Sequence, residues 1–199
     1  MINAFRQNLK PLAWLLLSLV LSACAHPINI GPIETPVRND AKLIKKNVAY
    51  VMTDENRNKL VTTDGGGGDK VSYYPYRELE KAIRDALRAT YESVTVIKSV
   101  ADTKAIQENN LSLIFSPEIS TSSVSNSVLT WPPTQFFINL SCDVADNQAK
   151  VITQFRLSGN GSAEFSEFKS DFGLAGRRAA TDLATKLQQE ILKNPILNQ

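Results

Sequence analysis

Between residues 48 and 116 the chain passes twice from a short apolar run to a helical stretch and back, and no other feature restricts the possible folds as much. The run VAYVMT at residues 48–53 is bounded by Lys46-Asn47 and Asp54-Glu55-Asn56, the pattern of a central strand buried on both faces. From Pro75 onward, Leu79, Ala82, Ile83, Ala86, Leu87 and Tyr91 fall on one stripe of a helix, and a proline in the first turn costs no hydrogen bond. The other face pairs Glu80 with Arg84 and Lys81 with Asp85 at i,i+4, contributing a few tenths of a kcal/mol each, and reads as solvated. Residues 94–99, VTVIKS, form a second strand. Ser99 and Asp102 have capping-box spacing and open a short helix over 100–108, ended by Asn109-Asn110, and LSLIFS at 111–116 is a third strand. Strands alternating with helices must run parallel, joined by right-handed crossovers.

Beyond residue 116 the pattern becomes antiparallel. Phe136, Ile138, Leu140, Cys142 and Val144 alternate with Phe137, Asn139, Ser141 and Asp143, and Asp146-Asn147 turns the chain into KVITQFRLSG, where Val151, Phe155 and Leu157 share a side. Residues 172–194 are the clearest helix, with Ser170 or Asp171 as cap, a stripe of Ala180, Leu183, Ala184, Leu187 and Ile191, and Pro195 as stop. A weaker run at 59–63 suggests an edge strand. The glycines at 65–68 fail the phosphate-loop pattern, since Asp69 follows them and Asp64 precedes them, so they read as a floppy solvent loop. The expected fold class is α+β (α/β-like): a single domain over 47–195 with a mixed sheet of about five strands in βαβαββα order and helices packed on it.

The amino-terminal region belongs to a different regime. Arg6 and Lys10 precede an almost wholly apolar stretch at 12–21, about half the length needed to span a bilayer, and Ser22-Ala23 supply small residues, which is the layout of a cleaved secretory signal over 1–23. Two of the 22 basic residues and none of the 20 acids lie in that segment. The remaining chain is electrically balanced and lacks the cationic footprint that nucleic-acid binding requires. It is long enough to bury a core without disulfides. Residues 24–46, with Pro27, Pro32 and Pro36, read as an extended tether. Cys142 falls within an apolar alternation and reads as a small buried hydrophobe.

Leu21-Ser22-Ala23-Cys24 resembles the bacterial lipobox at all four positions. The resemblance implies that Cys24 receives a diacylglyceryl thioether, becomes the mature amino terminus and is then N-acylated, with palmitate-type chains burying enough methylenes to anchor the protein durably. Ala25, where an aspartate would favour the inner membrane, implies the outer membrane. The element order, the Asp54-x-x-Arg57 after the first strand and the helix RRAATDLATKL also resemble envelope lipoproteins whose domain is similar to the TolB amino-terminal domain, the curli-secretion lipoprotein and the exopolysaccharide-secretion ring lipoprotein. That resemblance implies an accessory or scaffolding role in secretion and transport assemblies, often as oligomers.

Catalytic constellations are scarce. The single histidine, His26, sits in the tether, so histidine triads and ordinary zinc sites lack their ligands, and no metal or cofactor is expected. Ser166-x-x-Lys169 matches one penicillin-binding motif without its companion elements, and Asp171-Phe172-Gly173 reads as a helix cap. The stretch STSSVSNSVLTWPPTQFF at 120–137 is longer than packing needs, and Val128, Leu129, Trp131, Pro132 and Pro133 make it the candidate contact with a partner or membrane, unless Trp131 folds back over the sheet edge. The sequence thus points to a non-catalytic scaffold or accessory subunit of an envelope complex. It would touch the lipid bilayer through acylated Cys24 and would bind envelope proteins, copies of itself included. The alternative is a periplasmic binding module for a small ligand, glycan or lipid in a cleft at the sheet's carboxyl edge.

Overall fold

The computed structural model describes residues 25–128 and 130–198; Cys24 with the apolar segment before it, and Leu129, lie outside the described residues. Along the chain run β1 (His26–Pro27), β2 (Ile44–Val51), α1 (Asp54–Asn58), β3 (Val61–Asp64), β4 (Lys70–Tyr73), α2 (Pro75–Arg88), β5 (Tyr91–Ile97), α3 (Thr103–Glu108), β6 (Leu113–Val124), β7 (Gln135–Ala145), β8 (Val151–Ser162), α4 (Phe165–Phe168) and α5 (Leu174–Lys193). The main sheet has the order β5-β2-β6-β7-β8, with β2 parallel to both β5 and β6, and β6, β7 and β8 antiparallel in turn. This is the α+β fold with a five-stranded mixed sheet that the pattern predicts. A second sheet, β1-β4-β3, lies outside the expected element order.

One face of the main sheet carries the large core. Tyr50, Phe115, Phe136, Ile138 and Leu140 meet Leu79, Ile83 and Leu87 of α2 and Leu183, Leu187 and Ile191 of α5. On the other face α3 covers a smaller cluster of Ala49, Ile97, Ile106, Leu111 and Ile114, leaving the long hairpin strands open to solvent. The alanines of α5 matter because the helix lies directly on β8. A Cβ at Gly159 would sit 2.3 Å from the Ala179 carbonyl oxygen, and one at Gly161 would sit 2.0 Å from that of Ala175. Charged side chains one helical turn apart then seal the free edge of β8. Arg178 donates to the Ser162 carbonyl, Asp182 accepts from the Asn160 amide and Lys186 donates to the Ser158 carbonyl, occupying backbone groups that would otherwise template another strand.

Several local expectations are corrected. The α3 cap is Asp102, whose carboxylate accepts from the Ala105 amide, while Ser99 closes a turn onto Ala101. The last helix begins at Leu174, without a side-chain cap, because Asp171 turns to Arg177. Val151 faces away from Phe155, since a register shift opposite Val144 and Ala145 inserts an extra residue into β8 and flips the strand end. Glu80 does not face solvent with Arg84; it takes both Arg57 donors, at 2.7 and 2.9 Å, and the Tyr50 hydroxyl at 2.9 Å. Cys142 is buried as expected, and burial pushes its thiol up to about 12.

Candidate functional site

The stretch expected to stand off as a tether is bound to the body almost from its first described residue. His26 and Pro27 pair with β4, and the Ile28 amide donates to the Ser72 carbonyl. Ile30 is fully buried, its amide held by the Glu78 carboxylate at 2.5 Å. Its side chain fills space that Gly176 leaves open, because a Cβ there would come within 2.5 Å of Ile30 Cγ2. Farther along, Thr35 donates to Asp85, and Arg38 reaches the carbonyls of Arg88, Tyr91 and Glu92. Residues 26–42 are therefore a strap along α2 and α5. The folded body starts about twenty residues before the expected boundary at 47.

Where the strap begins, three other segments converge. The glycine run is not a floppy loop. The Gly66 amide donates to the Trp131 carbonyl at 2.8 Å and the Gly67 amide to that of Ser127 at 3.2 Å, so the glycine backbone carries the loop joining β6 to β7. The approach is too close for any side chain, since a Cβ at Gly66 would lie 1.8 Å from the Thr130 carbonyl oxygen. That loop is also shorter than 120–137, because β6 continues through Val124. Its inward hydroxyls do not resemble a core: Thr121 accepts from Tyr73, and Ser123 donates to Thr63 and to the Asp64 carbonyl.

Trp131 is half-buried. Its ring stacks on His26 at 4.3 Å, with 22° between planes, and meets Phe172 at 4.7 Å. Pro132 and Pro133 are buried, while Val128 stands out, 83% exposed. Of the expected contact residues, the structure thus presents Val128 fully and Trp131 in part, and it adds two aromatics outside that expected set, Phe165 at 69% and Phe172, expected only as part of a helix cap, at 41% exposure. The signal available for them was their place in a short polar stretch beside the Ser166 and Lys169 already noted. Trp131, Pro132, Phe165 and Phe172, together with Thr130, Phe168, Ser166 and Lys169, bound an open cleft of about 460 Å³. Its acidic neighbours are engaged. Glu167 takes Arg178 at 2.7 Å, which holds its carboxyl down at about 2, Asp171 takes Arg177 at 2.7 Å, and Asp69 lies 3.7 Å from His26.

Two other regions bear on function. At the carboxyl end of β2, where open sheets receive ligands, the space is filled by the protein's own Tyr50, Glu80 and Arg57, with Asp54 bridging to Lys98. On the exposed face of the hairpin strands, Glu118, Ser120, Asn139, Ser141, Arg156 and Ser158 line an open groove of about 520 Å³. Among the described residues no cluster of three or more His, Cys, Asp and Glu side chains is arranged to hold a metal ion. No helix among them is long and apolar enough to cross a membrane.

No known protein family matches the sequence, and no curated protein matches it. Among solved structures, the chain is similar to a Xanthomonas campestris protein of the DUF330 family, at 10% identity over 79% of this chain and 91% of that one, with a TM-score of 0.48. It is similar to a minor lipoprotein from Acinetobacter baumannii, at 12% identity over 75% and 94%, with a TM-score of 0.46. It is also similar to PelC from Paraburkholderia phytofirmans, a dodecamer, at 12% identity over 76% and 91%, with a TM-score of 0.44. Each is a likeness in the arrangement of elements at low identity.

Proposed function

We propose that this protein is a lipid-anchored lipoprotein of the bacterial cell envelope, held at the periplasmic face of the outer membrane, and that it acts without catalysis as a scaffold or accessory subunit of an envelope assembly. The observation that carries the reading is the junction between Leu21-Ser22-Ala23-Cys24 and the fold. His26 is already paired in a strand, so an acylated Cys24 can lie at most about 7 Å from the body. A free tether over 24–46 would have reached about 75 Å. A body held this close works in the plane of the lipid surface, on neighbours anchored beside it. The sealed edge of β8 and the filled carboxyl end of β2 favour contact through side-chain surfaces over ligand enclosure. The groove on the hairpin strands supports the second reading, a periplasmic binding module for a small ligand, glycan or lipid, but it is open to solvent and not an enclosed cavity.

Labelled palmitate should enter the wild type and be absent from Cys24→Ser, which should leave the membrane fraction. Cross-linking in intact cells should then recover the same envelope proteins, or further copies of this chain, from the wild type alone. Label entering Cys24→Ser equally well would defeat the proposal.

A further inference from the structure

We infer that the Trp131 cleft, with Phe165 and Phe172, is the face on which the domain rests in the headgroup layer of a lipid bilayer; the inference rests on the lipid anchor proposed at Cys24. Its first support is where the chain emerges. The strap starts at this cleft, with His26 stacked on Trp131, so an acyl group on Cys24 brings the cleft to the lipid surface. The second is composition. Phe165 and Phe172 project around a half-buried tryptophan, the amphipathic ring that settles at the boundary between hydrocarbon and water. The third is charge. Lys169 stands in the cleft wall, where its ammonium can meet lipid phosphates, while Glu167 and Asp171 are each neutralised by an arginine, and Glu164 and Glu167 cap each other's backbone amides in α4. The bilayer is thus the partner that both the anchor geometry and the surface chemistry favour. A neighbouring protein or a second copy on the same face is the competing outcome.

The chain has two tryptophans, Trp14 and Trp131, so Trp14→Phe leaves Trp131 as the sole emitter whether or not the leader is removed. The full-length Trp14→Phe protein, expressed with its own leader, is reconstituted in vesicles of phosphatidylethanolamine and phosphatidylglycerol, with or without bromine on the upper acyl carbons. Acylation is read from the mass of the amino-terminal peptide. The expected result is a blue-shifted Trp131 emission, most of which is lost in the brominated vesicles, with a clear reduction of that quenching in Phe165→Glu, a change at an exposed position. Protein that is acylated and bound yet equally bright in both vesicles overturns the docking and leaves the anchor standing. Full quenching retained in Phe165→Glu overturns it too, as does a blue shift that depends on protein concentration alone, which would give the face to a second copy. Protein without acyl chains that washes off the vesicles overturns anchor and docking together.

Discussion

Replacing Ile30 by alanine tests whether the strap belongs to the fold. Ile30 is fully buried between Gly176 of α5 and the Glu78 end of α2. Removing its carbons beyond Cβ forfeits about 0.8 kcal/mol each, or about 2 kcal/mol of transfer free energy. The site cannot collapse readily, because Gly176 offers no side chain to move in, and the residual cavity adds about 1–2 kcal/mol. A total of about 3–4 kcal/mol is a large share of the 5–15 kcal/mol typical of a whole domain. Urea denaturation followed by Trp131 emission in a Trp14→Phe background reads the global loss, and amide hydrogen exchange over 28–38 reads local release. The emission also reports the His26 stack, which should loosen together with the strap. An unfolding free energy within about 0.5 kcal/mol of wild type, with exchange over 28–38 unchanged, would refute the assignment of this segment to the core.

Gly66→Ala should displace the loop that carries Trp131, because the new Cβ would occupy the Thr130 carbonyl; a red-shifted emission in solution is the expected sign, whereas Gly68→Ala, which meets nothing, should show only the cost of its positive φ. Gly159→Ala forces α5 off β8 and should cost about 1–3 kcal/mol or more in a denaturant titration, since the obstructing atoms, the Ala179 carbonyl oxygen and the Leu183 amide nitrogen and Cβ, are fixed by the helix backbone and cannot swing aside. The Arg57 guanidinium, with help from Tyr50, holds the Glu80 carboxyl below its usual value despite partial burial. The stability this ion pair contributes is therefore complete above the unfolded glutamate value near 4.5 and is lost as pH falls through the lower folded value, so Arg57→Ala should reduce stability at neutral pH and flatten the acid limb of the stability curve. Cys142 should resist a thiol reagent at neutral pH and react once the protein is unfolded, because burial keeps the thiolate out of reach.

The five main strands and the two long helices were legible in the sequence because each is stabilised by apolar burial, on one periodic face in the helices and hairpin strands and on both faces in the central parallel strands. The stripe Leu79, Ala82, Ile83, Ala86, Leu87 of α2 and the alternation Phe136 to Val144 of β7 are buried as their spacing requires. What escaped were elements stabilised by something other than apolar burial. The carboxyl half of β6 turns hydroxyls inward, so Thr121 and Ser123 read as loop until Tyr73 and Thr63 are brought opposite them. The strap has no periodicity at all, and what holds it is a set of bonds to Glu78, Asp85 and the end of α2, together with the space left by Gly176. The glycine run at 65–68 looked permissive, whereas the bare backbone of Gly65 and Gly66 is required by a loop some sixty residues away in the chain.

The candidate site divides along the same line. Trp131 and its loop could be suspected from length and composition, since binding residues concentrate on loops and this one carries a tryptophan beside two prolines in a polar stretch. Phe165 and Phe172 show in the sequence only as aromatics in a short polar stretch; their membership of the site depends on lying next to Trp131 and to the point where the chain emerges. Residue order fixes local periodicity, charge balance and a short motif such as Leu21-Ser22-Ala23-Cys24, since each is written within a few neighbouring positions. The convergence of residues 26, 66, 131 and 172 joins segments far apart along the chain, and packing alone brings them together, because close contact is a property of the folded core and not of sequence distance.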